Sequence, residues 1–305
     1  MTQATRPIDL AGAAALIGFS ALLGFNQVVI RVVNEGLQPV FFAGLRSAGA
    51  LLCVYLWLWA RGKPMRMKRE HLLPGIALGA VFAAEFVFLF LALDYTTVTR
   101  TSVIFYTMPL WLAVMGHFLL PGEGMTRAKA AGLVMAFAGV ALAIVWRGGA
   151  GEASLLGDIL ALLAAISWAA IALLVRATPL RTEAPEVQLL WQLSGSAVIL
   201  LAVSPLFGPL LRELEAIHLW GLAFQIVVIA SAGYAFWLWL LSIYPAAGVA
   251  SFSFLAPIFG VAFGWLLLDE TLSASIIVAL ILVCAGLILI NRPPRQVPQK
   301  VRATT

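Results

Sequence analysis

Few side chains in this 305-residue sequence are equipped for chemistry, and most of them lie in apolar surroundings. Glu85 stands deep in an apolar run with Phe82, Phe86, Phe88 and Phe90 around it. A carboxylate at mid-helix costs about 2.5–3.5 kcal/mol on insertion scales, and such residues face a cavity or a partner. Glu85 therefore offers a seat for an ammonium group or a proton. The alternative is a structural pair with Arg46, at a comparable depth in another run. Arg46 in turn suits a ligand carboxylate, Glu85 itself or backbone carbonyls. Arg31 sits near enough to the end of its run to snorkel. Tyr106, Trp168, Tyr234, Trp237 and Trp239 bring aromatic faces with polar tips, fit to stack on a side chain or hold a cation. Plain packing between helices would use the same residues. Asn26, Ser102, Ser251 and Ser253 add neutral hydrogen-bonding groups.

Bond-breaking signatures are missing from the sequence. It has no Walker loop, no G-x-S-x-G, no H-E-x-x-H and no Cys/His cluster. His71, His117 and His218 lie far apart, and Cys53 and Cys284 fall inside apolar runs. Neither a metal nor a cofactor is expected. The chemistry left is recognition of a small molecule by charge, hydrogen bonds and ring faces.

The elements that position these residues follow from composition. Hydrophobic residues make up 62% of the chain and charged residues 11%, against about 45–50% and 25% in soluble domains. So few charges do not cover a surface in water, and the mean hydropathy of +1.01 agrees. A membrane span needs about 20 mostly apolar residues. Breaks at charges, Pro and Gly give ten predicted spans, near 9–33, 37–60, 71–93, 97–120, 126–147, 155–176, 185–206, 217–243, 246–268 and 272–291. The first is too long for a signal-peptide core and is expected to remain as a span.

Short-loop Lys and Arg set the orientation. Fourteen of the 19, from Arg6 through Arg61–Arg69, Arg127, Lys129, Arg176 and Arg181 to the C-terminal tail, fall on one face. Arg100, Arg147 and Arg212 fall on the other, with Arg31 and Arg46 inside spans. Both termini are therefore expected to be cytoplasmic, in a multi-pass protein of the inner (cytoplasmic) membrane. The net charge of +5 reads as a topology signal and not as a nucleic-acid footprint. Residues 292–305, rich in Pro and basic side chains, read as a disordered cytoplasmic tail.

An internal repeat organises the spans. Pro109, Gly116 and Leu119 recur 148 residues later as Pro257, Gly264 and Leu267, followed by the acids Glu123 and Glu270. Gly24–Arg31 aligns with Ala169–Arg176 at an offset of 145. The repeats are predicted at 9–147 and 155–291. Five spans in each make the two halves run in opposite directions across the membrane, an arrangement that places a substrate site near the midplane. The expected fold is thus an all-α integral membrane protein of ten transmembrane helices in two inverted five-helix repeats. Pro109 and Pro257 lie roughly 18 Å and 16 Å from the ends of their spans, at 1.5 Å per residue. Each proline frees the carbonyl four residues earlier, on Phe105 and Ser253, and a substrate ammonium is one partner for such a group. A packing kink is the other reading. Gly116 and Gly264 are assigned with Arg46 to structure or gating.

Three stretches resemble the drug/metabolite transporter superfamily, in particular its EamA-type ten-helix exporters. They are Thr101–Trp111 leading to Gly122-Glu123, Ser251–Pro257 leading to Asp269-Glu270-Thr271-Leu272, and Phe42-Ala43-Gly44-Leu45-Arg46. Within that superfamily the chain looks most like bacterial inner-membrane amino-acid exporters, the aromatic type included. The resemblance implies a central cavity lined by spans 1, 3, 4, 6, 8 and 9, and outward carriage of amino acids or related metabolites. It departs from family habit in having Leu23-Gly24 in place of Trp-Gly in span 1. Efflux of organic cations is the alternative within the class, and a channel or membrane enzyme the alternative outside it.

Overall fold

The computed structural model describes residues 6–62, 68–121, 124–146, 154–245, 248–249, 252 and 254–291. Among these residues the structure is helical, and the only extended pairing is an isolated bridge between Leu37 and Leu211. The helices are α1 (Leu10–Gly36), α2 (Pro39–Ala60), α3 (Leu72–Tyr95), α4 (Val98–Phe105), α5 (Met108–Leu119), α6 (Arg127–Val145), α7 (Leu155–Ala177), α8 (Pro185–Val203), α9 (Ala216–Phe224), α10 (Tyr234–Ile243), α11 (Leu255–Leu267) and α12 (Ala274–Ile290). Eight helical stretches are long and apolar enough to cross a membrane, with α4 and α5 joined as one and α9 and α10 as another. The shorter apolar helices α11 and α12 complete ten spans in two sets of five.

Local sequence explains where the helices start. The side chains of Asp9, Gln38, Thr97, Thr126, Ser154 and Ser273 accept a backbone N–H from the first turn of α1, α2, α4, α6, α7 and α12. Prolines open α2, α5 and α8, where the missing N–H has no partner to lose. Asp9 also accepts from the Tyr244 hydroxyl at 2.8 Å, with Arg6 beside it. The Gly12 N–H and then the Tyr244 hydroxyl hold the Asp9 carboxyl below the ordinary carboxylate range. This tie between the first helix and the end of α10 is thus present above that range and is lost as pH falls through the lowered value.

Two spans are irregular. The fourth breaks at Tyr106–Thr107, between α4 and α5. Pro109 has no N–H to return to the Phe105 carbonyl, and among the described residues no backbone N–H donates to that carbonyl. The eighth span carries a π-helical stretch, Gln225–Gly233, between α9 and α10. Inside it the Ser231 hydroxyl donates to the Ile226 carbonyl at 2.7 Å, a side-chain bond that competes with the regular ladder.

Packing follows the duplication. Spans 5 and 10 pack as α6 on α12, and spans 2 and 7 as α2 on α8. Span 3 packs on span 6 as span 1 does on span 8, and span 4 on span 6 as span 9 does on span 1. Small residues permit the close crossings. A Cβ on Gly79 would sit 2.8 Å from the Gly195 Cα, and one on Gly24 would sit 2.7 Å from the Gly260 nitrogen.

One buried ion pair locks the halves together. Arg100 in the first turn of α4 meets Asp158 in the first turn of α7, Nε to Oδ1 at 3.0 Å and Nη2 to Oδ2 at 2.6 Å. The side chains are 1% and 0% exposed, and Thr96 and the Ala143 carbonyl complete the network. The sequence reading put Arg100 among the loop charges. The structure buries it because helix α4 begins at Val98, which turns the side chain inward to an acid that cancels it. Asp158→Asn leaves a buried guanidinium uncompensated and is expected to lower stability by about 3–5 kcal/mol. Arg100→Met combined with Asp158→Leu should restore most of that loss, as read by thermal unfolding in detergent.

Candidate functional site

One group of buried polar residues lies among α1, α2, α3 and the π-helical stretch. Arg46 (9% exposed), Glu85 (3%) and Gln225 (0%) form the buried core of the group. The Arg46 Nε donates to the Gln225 Oε1 at 3.0 Å. Arginine only donates, so the Gln225 amide nitrogen must point the other way. It donates to the Asn26 Oδ1 at 2.6 Å and to the Asn26 carbonyl at 3.3 Å. The Arg46 guanidinium lies 4.5 Å from the centre of the Phe86 ring, within cation–π range. Phe86 is itself packed between Phe82 and Phe90, with ring centres 4.3 Å and 5.5 Å away. Arg46 is thereby fixed from two sides.

Glu85 and Arg46 stand on the packed helices α3 and α2 but form no ion pair with each other. The Glu85 Oε2 and the Arg46 Nη1 are each buried without a hydrogen-bond partner. Unpaired buried charge is costly, and these two atoms stand out among the buried unpartnered atoms by belonging to a carboxyl and a guanidinium. Together they offer an acceptor and a donor to a molecule carrying both charges. Gln225 escaped the sequence reading. Its signal was available as a lone amide within the apolar eighth span.

A second polar group sits at the break in span 4. The Ser102 hydroxyl donates to the Gln27 Oε1 at 2.7 Å and the Tyr106 hydroxyl to the Leu23 carbonyl at 2.9 Å. Both hydroxyls therefore serve to hold α4 on α1. The Gln27 Nε2 and the Thr101 Oγ1 are buried without partners. Phe105 is buried with its ring 5.5 Å from that of Tyr106. Pro109 is half-buried near the start of α5, and Pro257 is buried near the start of α11. Trp168 lies half-buried on α7, packed against the main apolar core. Tyr234 sits apart from the cluster, with its hydroxyl donating to the Pro185 carbonyl at 2.7 Å. Trp237 stacks on Phe19 at 5.3 Å, and Trp239 is half exposed. Ser251 and Ser253 lie outside the described residues, as does Glu123.

The second copy of the repeated motif has a plain structural use. Glu270 accepts the backbone N–H groups of Val98 at 2.6 Å and Thr99 at 2.8 Å, capping the start of α4. A carboxylate is favoured there by the helix dipole. A Cβ on Gly264 would come within 2.7 Å of the Glu270 Oε2, so the glycine makes room for the cap. Gly116 is likewise buried, on α5.

Charged residues tie the helices together at the face opposite the termini. Asp94 and Arg212 form a two-pronged pair at 2.7 Å and 2.9 Å, joining the last turn of α3 to the link before α9. Arg212 also donates to the Asn34 carbonyl at 2.7 Å. Arg31 does not snorkel as expected. It donates to the Leu93 and Asp94 carbonyls at 3.0 Å and 2.8 Å, where the end of α3 leaves acceptors unfilled. Two surface depressions, about 350 Å³ beside His71 and Arg181 and about 210 Å³ beside Glu35 and His218, lie at the two ends of the bundle. Neither is lined by Glu85 or Arg46.

The chain matches the EamA-like transporter family over residues 10–145 and 155–292 and belongs to that family. It is a multi-pass membrane transporter and not an enzyme. It is 26% identical to the uncharacterized transporter YoaV of Bacillus subtilis, over 90% of this chain and 94% of that protein. It is 27% identical to a probable amino-acid metabolite efflux pump of Escherichia coli, over 87% of this chain and 89% of that one. A Salmonella typhimurium protein of the same description is 28% identical, over 88% and 93% of the two chains. A crystal structure of a protein 23% identical covers 91% of this chain and 96% of its own at a TM-score of 0.62, showing the same fold.

If the Asp94–Arg212 pair holds its face shut, weakening it should expose what lies beneath. Leu37 is 2% exposed. In a protein with Cys53 and Cys284 replaced by alanine, a cysteine introduced by Leu37→Cys should react with a polar maleimide in detergent severalfold faster once Arg212→Gln is added. Unchanged labelling would mean that the pair is not the closure.

Proposed function

We propose that this protein exports amino acids or related small metabolites across the cytoplasmic membrane by alternating access of its two halves. The observation that carries this reading is the buried, unjoined pair of Glu85 and Arg46. A transporter built for an apolar or singly charged solute has no use for opposite charges held apart at this depth, where both are costly. The description of the Escherichia coli and Salmonella relatives as probable amino-acid metabolite efflux pumps supports the same class of solute.

The halves, residues 9–147 and 155–291, would rock about their matched contacts, giving a site near the midplane that opens to one face at a time. Solute would enter from the face of the termini and leave once the Asp94–Arg212 closure parts. The termini are assigned to the cytoplasm and the membrane to the inner one. The burial of Arg100 against Asp158 removes a positive charge from the opposite face and so sharpens the Lys/Arg bias on which that orientation rests. Organic cations are the second reading. Glu85 favours them, and Arg46 on the neighbouring helix opposes them.

Counterflow into proteoliposomes tests the class. Vesicles preloaded with amino acids should accumulate labelled amino acid saturably, and vesicles preloaded with tetraethylammonium or a nucleotide sugar should not. Glu85→Gln and Arg46→Gln should each cut the initial rate by tenfold or more, since a charge-assisted bond is worth about 1.5–3 kcal/mol. Exchange of the cation alone would move the protein to cation efflux.

A further inference from the structure

Resting on the amino-acid reading above, we infer that the site recognises both ends of a free α-amino acid, with Arg46 taking the carboxylate, Glu85 taking the ammonium, and Gln225 positioning Arg46. The unfilled atoms are one donor, the Arg46 Nη1, and one acceptor, the Glu85 Oε2, both buried. Neither side chain closes a hydrogen bond or ion pair on the other, which leaves an acceptor and a donor for a zwitterion carrying its two charged groups on one carbon. Occupied by a zwitterion, the cluster is neutral and each charge has a partner. Occupied by an ester or amide, which is a cation, it leaves Arg46 unmatched; occupied by an N-acyl derivative, an anion, it leaves Glu85 unmatched.

The guanidinium is also presented in a fixed pose. Its Nε is bonded to Gln225 and its plane lies by the Phe86 ring, so Nη1 is left over by construction. Gln225 is the first residue of the π-helical stretch and bonds Asn26 of α1 at the same time. It therefore ties the anion-binding group to spans 1 and 8, and any shift of span 8 moves Arg46. The second half carries no duplicate of these charges. At the offsets of 145 to 148 that relate the halves, position 85 falls on 230–233, Ala-Ser-Ala-Gly, and position 46 on 191–194, Trp-Gln-Leu-Ser. The fold is duplicated and the charged site is single.

The test measures competition in the counterflow assay. The labelled solute is the best-accepted amino acid of a panel of aromatic, aliphatic and hydroxyl members. The competitors are the same amino acid unlabelled, its amide and its N-acetyl derivative. In the parent protein the free amino acid should compete at least tenfold better than either derivative. Arg46→Gln should bring the amide level with the free amino acid while keeping discrimination against the N-acetyl form. Glu85→Gln should do the reverse. Gln225→Leu should narrow discrimination against the amide alone, as a positioning residue for Arg46 must. Melting temperature and monodispersity are checked for each variant. If a neutral variant does not fold, Arg46→Lys and Glu85→Asp replace it, and each should keep the order of preference with weaker competition.

A parent protein that accepts the derivatives as well as the free amino acid overturns this assignment and leaves amino-acid export standing. Unchanged preferences in folded variants do the same. A parent that exchanges no amino acid overturns both.

Discussion

A backbone or side-chain polar group inside a bilayer has no water to turn to, and each one left alone costs several kcal/mol. That constraint shapes this molecule throughout. It makes every described span helical, and it bonds Arg100 to Asp158 where two helices begin side by side. It fixes Glu270 on the bare N–H groups of Val98 and Thr99. It turns Arg31 onto the carbonyls that end α3. Where the constraint is obeyed, a polar residue holds the fold. Where it is not, as at the Glu85 Oε2 and the Arg46 Nη1, the proposed ligand offsets the cost.

Duplication supplies the scaffold and leaves chemistry to divergence. The contacts between spans come in matched pairs, as two related halves in opposite directions require. The irregularities do not. Span 4 breaks ahead of Pro109, while span 8 is loosened by Ser231 and starts its π-helical stretch at the residue that holds Arg46. In the proposed alternating access, a symmetric frame would let the two ends of the bundle exchange roles, with the single Glu85–Arg46 site as the place where solute is held.

Much of this was legible in the sequence. Ten spans follow from apolar runs of the right length, and the separation of spans 3 and 4 at Asp94–Thr97 is where the structure puts it. Glu85 and Arg46 stood out because charges in apolar runs are rare. What the sequence concealed is which polar groups find partners, a matter of geometry between helices distant in sequence. Arg46 meets Gln225 and not Glu85. Tyr106 and Tyr234, legible as candidate ligand-binding aromatics, have their hydroxyls on backbone carbonyls. Arg100 looked like a loop charge because its partner lies 58 residues away. The π-helical stretch has no compositional signature within its apolar run.

The most direct test of the account is an experimental structure determined with a transported amino acid bound. The account predicts the ligand's carboxylate on Arg46, its ammonium on Glu85, and the bond from Arg46 to Gln225 intact. Density for the ligand elsewhere, with Glu85 and Arg46 closed into a direct ion pair, would contradict it.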